Sequence, residues 1–295
     1  MQAKMATLQN YRKEQLNGLM SKREMLPRKF RISELTWETG EGDVFTWELE
    51  SLDGHEFKFQ PGQFNMLYAH GFGEVPVSIS GDSERGKLIH TTRAVGAVTK
   101  GFQKLKVGDI IGVRGPYGSA WPIDKAVNKD LLIIAGGIGL APLRSVIYYT
   151  LNHREKFNRV HLIYGTRTPL EIIYRSELEY LNENCDLQVS VTVDKVSGHW
   201  SGQVGVVTNL IPQLEFKGNN TVAMICGPEV MMHFSQLTLR KAEVPDEQIY
   251  VSMERNMKCA IGHCGHCQWG SHFICKNGPV FRFDQIRDLF KVHEL

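Results

Sequence analysis

Four of the six cysteines in this 295-residue chain fall within seventeen positions near its C-terminus: Cys259, Cys264, Cys267 and Cys275. Soft thiolate sets of this kind take up iron–sulfur clusters or zinc. The C-x4-C-x2-C run is the spacing of plant-type 2Fe–2S loops, in which one tight loop supplies three ligands and a later return supplies the fourth. Gly262, Gly265 and Gly270 allow positive φ and a close backbone approach to inorganic sulfide. The return here, C-x7-C, is shorter than in those loops. Structural zinc sites favour paired C-x2-C knuckles, and this chain has one. His263, His266 and His272 keep zinc open as the alternative; otherwise they read as loop residues. A disulfide framework belongs to small secreted domains. The expectation is a 2Fe–2S cluster on the four cysteines.

A second chemistry is suggested by Gly136-Gly137-Ile138-Gly139-Leu140-Ala141-Pro142. A glycine turn between a strand and a helix lets a pyrophosphate approach backbone N–H groups. The pattern departs from GxGxxG, and a turn that merely packs tightly remains the competing reading. Cys226-Gly227-Pro228 occupies a similar strand end, where ligands of open α/β sheets collect. Cys226 there faces either a nicotinamide or only its own tight turn. A flavin would need hydroxyl, backbone and cationic partners. Candidates are Pro76, Val77 and Ser78 in one run, and Arg93, Gly96, Val98 and Thr99 in another.

The elements that must position these residues change character along the chain. Residues 1–26 are polar and weakly periodic, with a marginal helix over Met5–Met20 as the most they suggest. From Pro27, short β-rich runs alternate with turn signals: Arg28–Leu35, Val44–Leu52, Gly62–Ala69, Val75–Ser80, Leu88–Ala94 and Asp109–Arg114. Such spacing predicts a small antiparallel barrel over 27–123. After Asp124, strands at Leu131–Ala135, Val160–Tyr164, Leu187–Val193 and Thr221–Cys226 alternate with helices. Those helices are expected at Pro142–Leu151, Leu170–Leu181, Val206–Ile211 and Glu229–Ala242, and Gln248–Ser252 is expected to close the sheet. This predicts a doubly wound α/β domain over 124–251, leaving 252–295 as a small cysteine-bearing lobe and tail.

Composition sets the outer limits. The apolar fraction of 42% and charged fraction of 22% are those of an ordinary globular protein. A net charge of +2 points to neither nucleic acid nor a membrane surface as a partner. The N-terminus has no apolar signal-peptide core, and the most apolar window, Leu131 to Leu143, is too short to span a bilayer. Reduced, metal-binding cysteines in such a chain predict a cytoplasmic location.

Taken in order, these segments resemble the ferredoxin–NADP reductase superfamily, in the branch that carries a C-terminal 2Fe–2S cluster. The marks are Gly73 through Ser80, Arg114-Gly115-Pro116-Tyr117-Gly118, Ala135 through Ser145, Tyr164-Gly165-Thr166-Arg167, Gly205 through Thr208, Cys226-Gly227-Pro228 and Glu254 through Phe281. The likeness covers about Arg28 to Gln285. Within the branch the chain looks most like the gamma subunits of NiFe hydrogenases (sulfhydrogenases). It is also similar to the electron-transfer subunits of anaerobic sulfite reductase and of dihydroorotate dehydrogenase. The resemblance implies FAD in the barrel and NAD(P)H on the α/β domain, held by Gly136, Gly137, Gly139, Ala141, Pro142, Gly165, Thr166, Arg167, Gly227 and Pro228. It also implies a heteromeric partner with its own iron–sulfur chain. The wider superfamily carries Arg-x-Tyr-Ser at the flavin; here Val75, Pro76, Val77 and Ser78 stand there, and only the serine is kept. Arg167 leaves NAD and NADP both open. From a different class, a zinc-containing, nucleotide-responsive regulator would also use a nucleotide fold and a cysteine loop.

Overall fold

The computed structural model describes residues 25–291. The marginal helix expected over Met5–Met20 lies outside the described residues. Six strands form the first sheet: β1 (Arg28–Trp37), β2 (Val44–Ser51), β3 (Phe64–Ala69), β4 (Gly73–Ser78), β5 (Leu88–Arg93) and β6 (Ile110–Tyr117). All pair antiparallel, in the order β4-β3-β6-β1-β2-β5. An antiparallel bridge between Ile79 and His90 joins the two ends, so the sheet closes as a barrel. Alternate residues point inward, as the pleat requires. Phe30, Ile32, Phe45, Trp47, Leu49, Leu67, Ile111 and Val113 fill the interior. A short helix that the sequence does not signal, α1 (Ala97–Phe102), lies between β5 and β6.

The second sheet is built from β7 (Asp130–Gly136), β8 (Val160–Thr166), β9 (Gln188–Val193), β10 (Gln203–Val204), β11 (Thr221–Cys226) and β12 (Ile249–Ser252). These six are parallel, ordered β10-β9-β8-β7-β11-β12. Every residue of β7 is buried, which explains why its sequence shows no alternation. Helices α2 (Leu140–Asn152) and α3 (Arg175–Asn184) pack on one face, and α4 (Glu229–Lys241) on the other.

Three expectations shift. Helix α3 begins at Arg175, because Pro169–Glu171 forms a 3-10 turn and Tyr174 takes a left-handed backbone with φ 53°. Ile172 and Ile173 imitate helical periodicity, yet they are buried in non-helical chain, Ile172 extended and Ile173 in a bend. The helix expected over Val206–Ile211 is two 3-10 turns, Val207–Asn209 and Ile211–Gln213; Pro212 has no N–H with which to extend a helix. The sheet does not close at β12. It gains one more strand, antiparallel and at its edge, from Val280–Arg282 of the cysteine-bearing lobe.

That lobe contains the small hairpin β13 (Gln268–Trp269) and β14 (His272–Phe273), the edge strand β15 (Val280–Arg282), and two single-turn helices, α5 (Ile274–Asn277) and α6 (Phe283–Ile286). Its Met253, Met257, Cys267, Trp269, Cys275 and Phe281 share one core with α4, β11 and the barrel residues Phe64 and Met66. The lobe is therefore wedged between barrel and sheet. Among the described residues, no helix is long and apolar enough to cross a membrane.

Candidate functional site

The four cysteines of the lobe are brought together by an unusual backbone. Ala260 is buried in a left-handed conformation at φ 63°, and Gly262 follows at φ 72°. Alternating left-handed residues turn successive amides to one side, forming an anion-binding nest. The N–H groups of Ile261, His263 and Cys264 donate to Cys259 Sγ at 3.5, 3.3 and 3.4 Å. Gly262 N–H donates to Cys275 Sγ at 3.1 Å, and Cys275 N–H to Cys267 Sγ at 3.5 Å. Burial pushes the Cys259 thiol up, but the amides of Ile261, Cys264 and His263 outweigh it and leave the thiol lowered to about 6. Cys275 goes the other way, pushed up to about 12 by burial and by its contact with Cys267.

The four thiols lie close together: Cys264 is in contact with Cys259, and Cys275 with Cys267, with Cys259 also near Cys275. Among the described residues, no three His, Cys, Asp or Glu side chains close on one metal-ion position. Four neighbouring thiols, three of them with amides aimed at their sulfurs, are a donor set suited to an iron–sulfur cluster. Cys264 is exposed, whereas Cys259, Cys267 and Cys275 are buried.

The glycine turn after β7 and the Cys226 turn after β11 interlock at the point where strand order reverses. A Cβ on Gly139 would lie 2.4 Å from the Cys226 carbonyl oxygen, and one on Gly227 would lie 3.0 Å from the Gly136 backbone. Gly136 would collide with Met231 Sδ at 2.4 Å. Gly139 and Gly227 make the turn-against-turn packing possible, while a side chain at Gly136 would chiefly displace the flexible end of Met231. Gly137, at φ 53°, faces open space. Ala141 and Pro142 are buried in α2, where the Pro142 carbonyl accepts a hydrogen bond from Trp121 Nε1 at 3.1 Å. Burial and the charge of Glu254 push the Cys226 thiol up to about 12, so it is a small neutral group. Pro228 precedes the first turn of α4. On the neighbouring strand Gly165 packs on Val207, where a Cβ would come within 2.8 Å. Thr166 donates to the Thr168 carbonyl at 3.0 Å, and Arg167 is exposed just beyond.

In the barrel, Pro76 and Ser78 are half-buried on either side of buried Val77 on β4. Thr99 is occupied locally. Its hydroxyl accepts from the amides of Val95 and Gly96 at 3.1 and 3.0 Å, donates to the Gly96 carbonyl, and shapes the exposed Val95–Ala97 turn. Half-buried Val98 packs on the barrel core. Arg93 lies between two carboxylates: its Nε is 3.5 Å from Asp43 Oδ2 and its Nη2 is 3.9 Å from Glu171 Oε2.

One residue with a central position is given no role by the sequence. Arg114 on β6 is 4% exposed. It binds both oxygens of Glu74 at 2.7 and 2.6 Å and donates to the carbonyls of Lys258 and Cys259, each at 3.2 Å. Tyr117 Oη accepts at 3.2 Å and Met25 Sδ at 3.3 Å. Nearby, Ser119 N–H donates to the Gly278 carbonyl at 2.6 Å, and Ser119 Oγ exchanges hydrogen bonds with Val280. The Arg114-Gly115-Pro116-Tyr117-Gly118 motif was the available signal.

Two families match parts of this chain. The family described as the oxidoreductase NAD-binding domain matches residues 133–237. The iron–sulfur cluster binding domain of dihydroorotate dehydrogenase B matches residues 254–287. The sulfhydrogenase 2 gamma subunit of Pyrococcus furiosus is 38% identical, covering 86% of this chain and 93% of the relative. A probable dihydroorotate dehydrogenase B (NAD(+)) electron transfer subunit of the same organism is 34% identical over 88% and 92%. A solved chain of an NADH-dependent reduced ferredoxin-NADP oxidoreductase superposes with a TM-score of 0.69 at 26% identity, covering 90% of this chain and 94% of that one. The Neisseria gonorrhoeae ferredoxin NADP+ reductase, at 22% identity and TM-score 0.65 over 76% and 96%, shares the fold of barrel and α/β sheet. The chain belongs to the ferredoxin reductase-like family of oxidoreductase electron-transfer subunits that includes these sulfhydrogenase and dihydroorotate dehydrogenase relatives, with an NAD-binding domain followed by an iron–sulfur-binding lobe.

Proposed function

We propose that this chain passes electrons between NAD(P)H and a partner redox subunit through FAD and a 2Fe–2S cluster, as the gamma subunit of a cytoplasmic hydrogenase. The observation that carries the proposal is the four-thiol loop, supplied with amide donors and packed directly against the barrel. Bound FAD supplies the conversion between two-electron hydride chemistry and one-electron transfer. The chain's own part is to bind and align. Residues 27–123 form the flavin unit, 124–251 the nicotinamide unit and 252–295 the cluster lobe, with 1–26 as an extension. Pro76, Val77 and Ser78 line the flavin ring. Arg93 meets phosphate beside the turn that Gly96, Val98 and Thr99 shape. Gly136, Gly137 and Gly139 admit the nicotinamide pyrophosphate, assisted by Gly165, Thr166, Gly227 and Pro228, while Ala141 and Pro142 fix the helix behind them. Cys226 offers a neutral thiol to the nicotinamide. Cys259, Cys264, Cys267 and Cys275 ligate the irons.

Exposed Cys264 sets the side from which a partner's iron–sulfur chain takes electrons. A second reading, the electron-transfer subunit of dihydroorotate dehydrogenase, is favoured by the family match over the cluster lobe. Neighbouring genes for a hydrogenase large subunit or an orotate-forming subunit separate the two. The test of the shared reading is an anaerobic visible spectrum with iron, zinc and flavin analysis, before and after NADH or NADPH. Two irons and one FAD per chain, bleached by the reductant, are expected. Zinc without flavin overturns the reading in favour of a regulator. Arg167→Ala with an unchanged preference between the two nucleotides would clear Arg167 of a role in choosing between them.

A further inference from the structure

Arg114 links two regions that lie far apart along the chain. Glu74, its carboxylate partner, immediately precedes the strand segment assigned to the flavin, and its two carbonyl partners belong to Lys258 and to the ligand Cys259. Its side chain is 2% exposed and that of Glu74 is 24% exposed, so solvent screens the guanidinium poorly. A planar fork with five donors can hold a carboxylate and two carbonyls at once; an ammonium cannot.

We propose that Arg114 is a positioning residue that fixes the cluster loop against the flavin strand and biases the cluster toward its reduced form, with Glu74 as the counterweight. The inference rests on the flavin–cluster reading above. A buried cation beside a ligand's carbonyl favours the negative charge gained on reduction, and a neighbouring carboxylate opposes it. The two charges therefore act with opposite signs, which a purely structural ion pair would not.

The experiment is an EPR-monitored redox titration of the parent, Arg114→Gln, Arg114→Lys and Glu74→Gln, each first checked for iron and flavin. Arg114→Gln should shift the cluster's reduction equilibrium about tenfold toward the oxidised form, which is about 59 mV for one electron. Glu74→Gln should shift it toward the reduced form. Arg114→Lys keeps the charge and should titrate close to the parent. In the cluster-free chain, however, both Arg114 variants should be cut faster by trypsin after Lys258, because the carbonyl anchors are lost. If Arg114→Gln does not fold, the Glu74→Gln shift and the behaviour of Arg114→Lys decide the matter. Full iron and flavin with unmoved equilibria, or shifts of the same sign in Arg114→Gln and Glu74→Gln, overturn the proposal alone. A parent chain without iron or flavin overturns the functional reading and this inference with it.

Discussion

Cys226 and Cys259 are the same side chain withdrawn from water in two regions, and their ionisation goes in opposite directions. At the end of β11, burial acts with the charge of Glu254, and a contact with Ser252 offsets only part of it; the thiol is pushed up to about 12. In the cluster loop, burial acts in the same sense, yet three amides aimed at the sulfur bring the thiol down to about 6. Depth alone does not set the direction of a thiol's shift. Three amides aimed by the left-handed backbone at Ala260 and Gly262 lower Cys259, whereas Cys275, with one such amide and Cys267 beside it, is pushed up like Cys226. In the glycine turn after β7 the glycines serve a different end, letting two turns pack against each other.

The sharpest way to break this comparison is to exchange sulfur for oxygen at each site. Cys259→Ser should remove the cluster, with iron falling to background while flavin stays bound to the barrel. Cys226→Ser should leave iron content unchanged. Iron retained in the first variant would mean that the amide-rich loop is not the ligand set.

His90 extends the comparison to a buried group with no compensating donors of the right kind. Burial lowers it to about 4, against the bonds to Ser78 and Val77 that raise it. Its Nδ1–H donates to the Ser78 carbonyl at 2.9 Å, and Nε2 accepts from Asn65 Nδ2 at 3.0 Å, an arrangement that needs the neutral ring. In the unfolded chain the same ring takes a proton near 6.5. Between those values the unfolded state binds more protons. This contribution to stability is therefore fully present above pH 6.5, falls as pH drops and is gone below about pH 4. The total is about 3 kcal/mol. Urea unfolding at steps from pH 7 to 4 should show that slope in the parent and a flatter one in His90→Gln; equal slopes would remove His90 from the account.

Gly139→Ala tests the packing half of the comparison. A methyl group 2.4 Å from the Cys226 carbonyl oxygen forces the two turns apart, at a cost of about 2 kcal/mol. The melting temperature should fall and KM for NAD(P)H should rise. A variant that loses stability but keeps KM would separate the turn from nucleotide binding.

The sequence was most legible where chemistry restricts residue type. Four cysteines at ligand spacing have few alternative uses, and a β7 with every position buried reads directly as a parallel strand. Arg114 was illegible because its partners are a carboxylate 40 residues away and a carbonyl 145 residues away; any residue type can supply a carbonyl. The start of α3 lies later than the pattern suggests because Ile172 and Ile173 satisfy a helical pattern while packing in non-helical chain. The three residues of β15 are too few to register a period, though they extend the nucleotide sheet with a strand from the cluster lobe. Thr99, a candidate flavin contact by its sequence position, is held by its own turn.

The smallest expected effect is also the one that bears most directly on Cys226. A thiol pushed up to about 12 is protonated at every working pH, so it is neither nucleophile nor base; what it offers is shape and a weak donor. Cys226→Ala should then cost about 1 kcal/mol or less in stability. It should change the rate of flavin reduction by NAD(P)H by no more than roughly fivefold, the equivalent of about 1 kcal/mol. Iodoacetamide at pH 8 should spare Cys226 in the folded, cluster-free chain while labelling exposed Cys264. If Cys226→Ala instead abolishes hydride transfer with nucleotide affinity intact, the thiol takes part in the reaction itself. The two cysteines would then differ in which ligand they serve, not in whether they act.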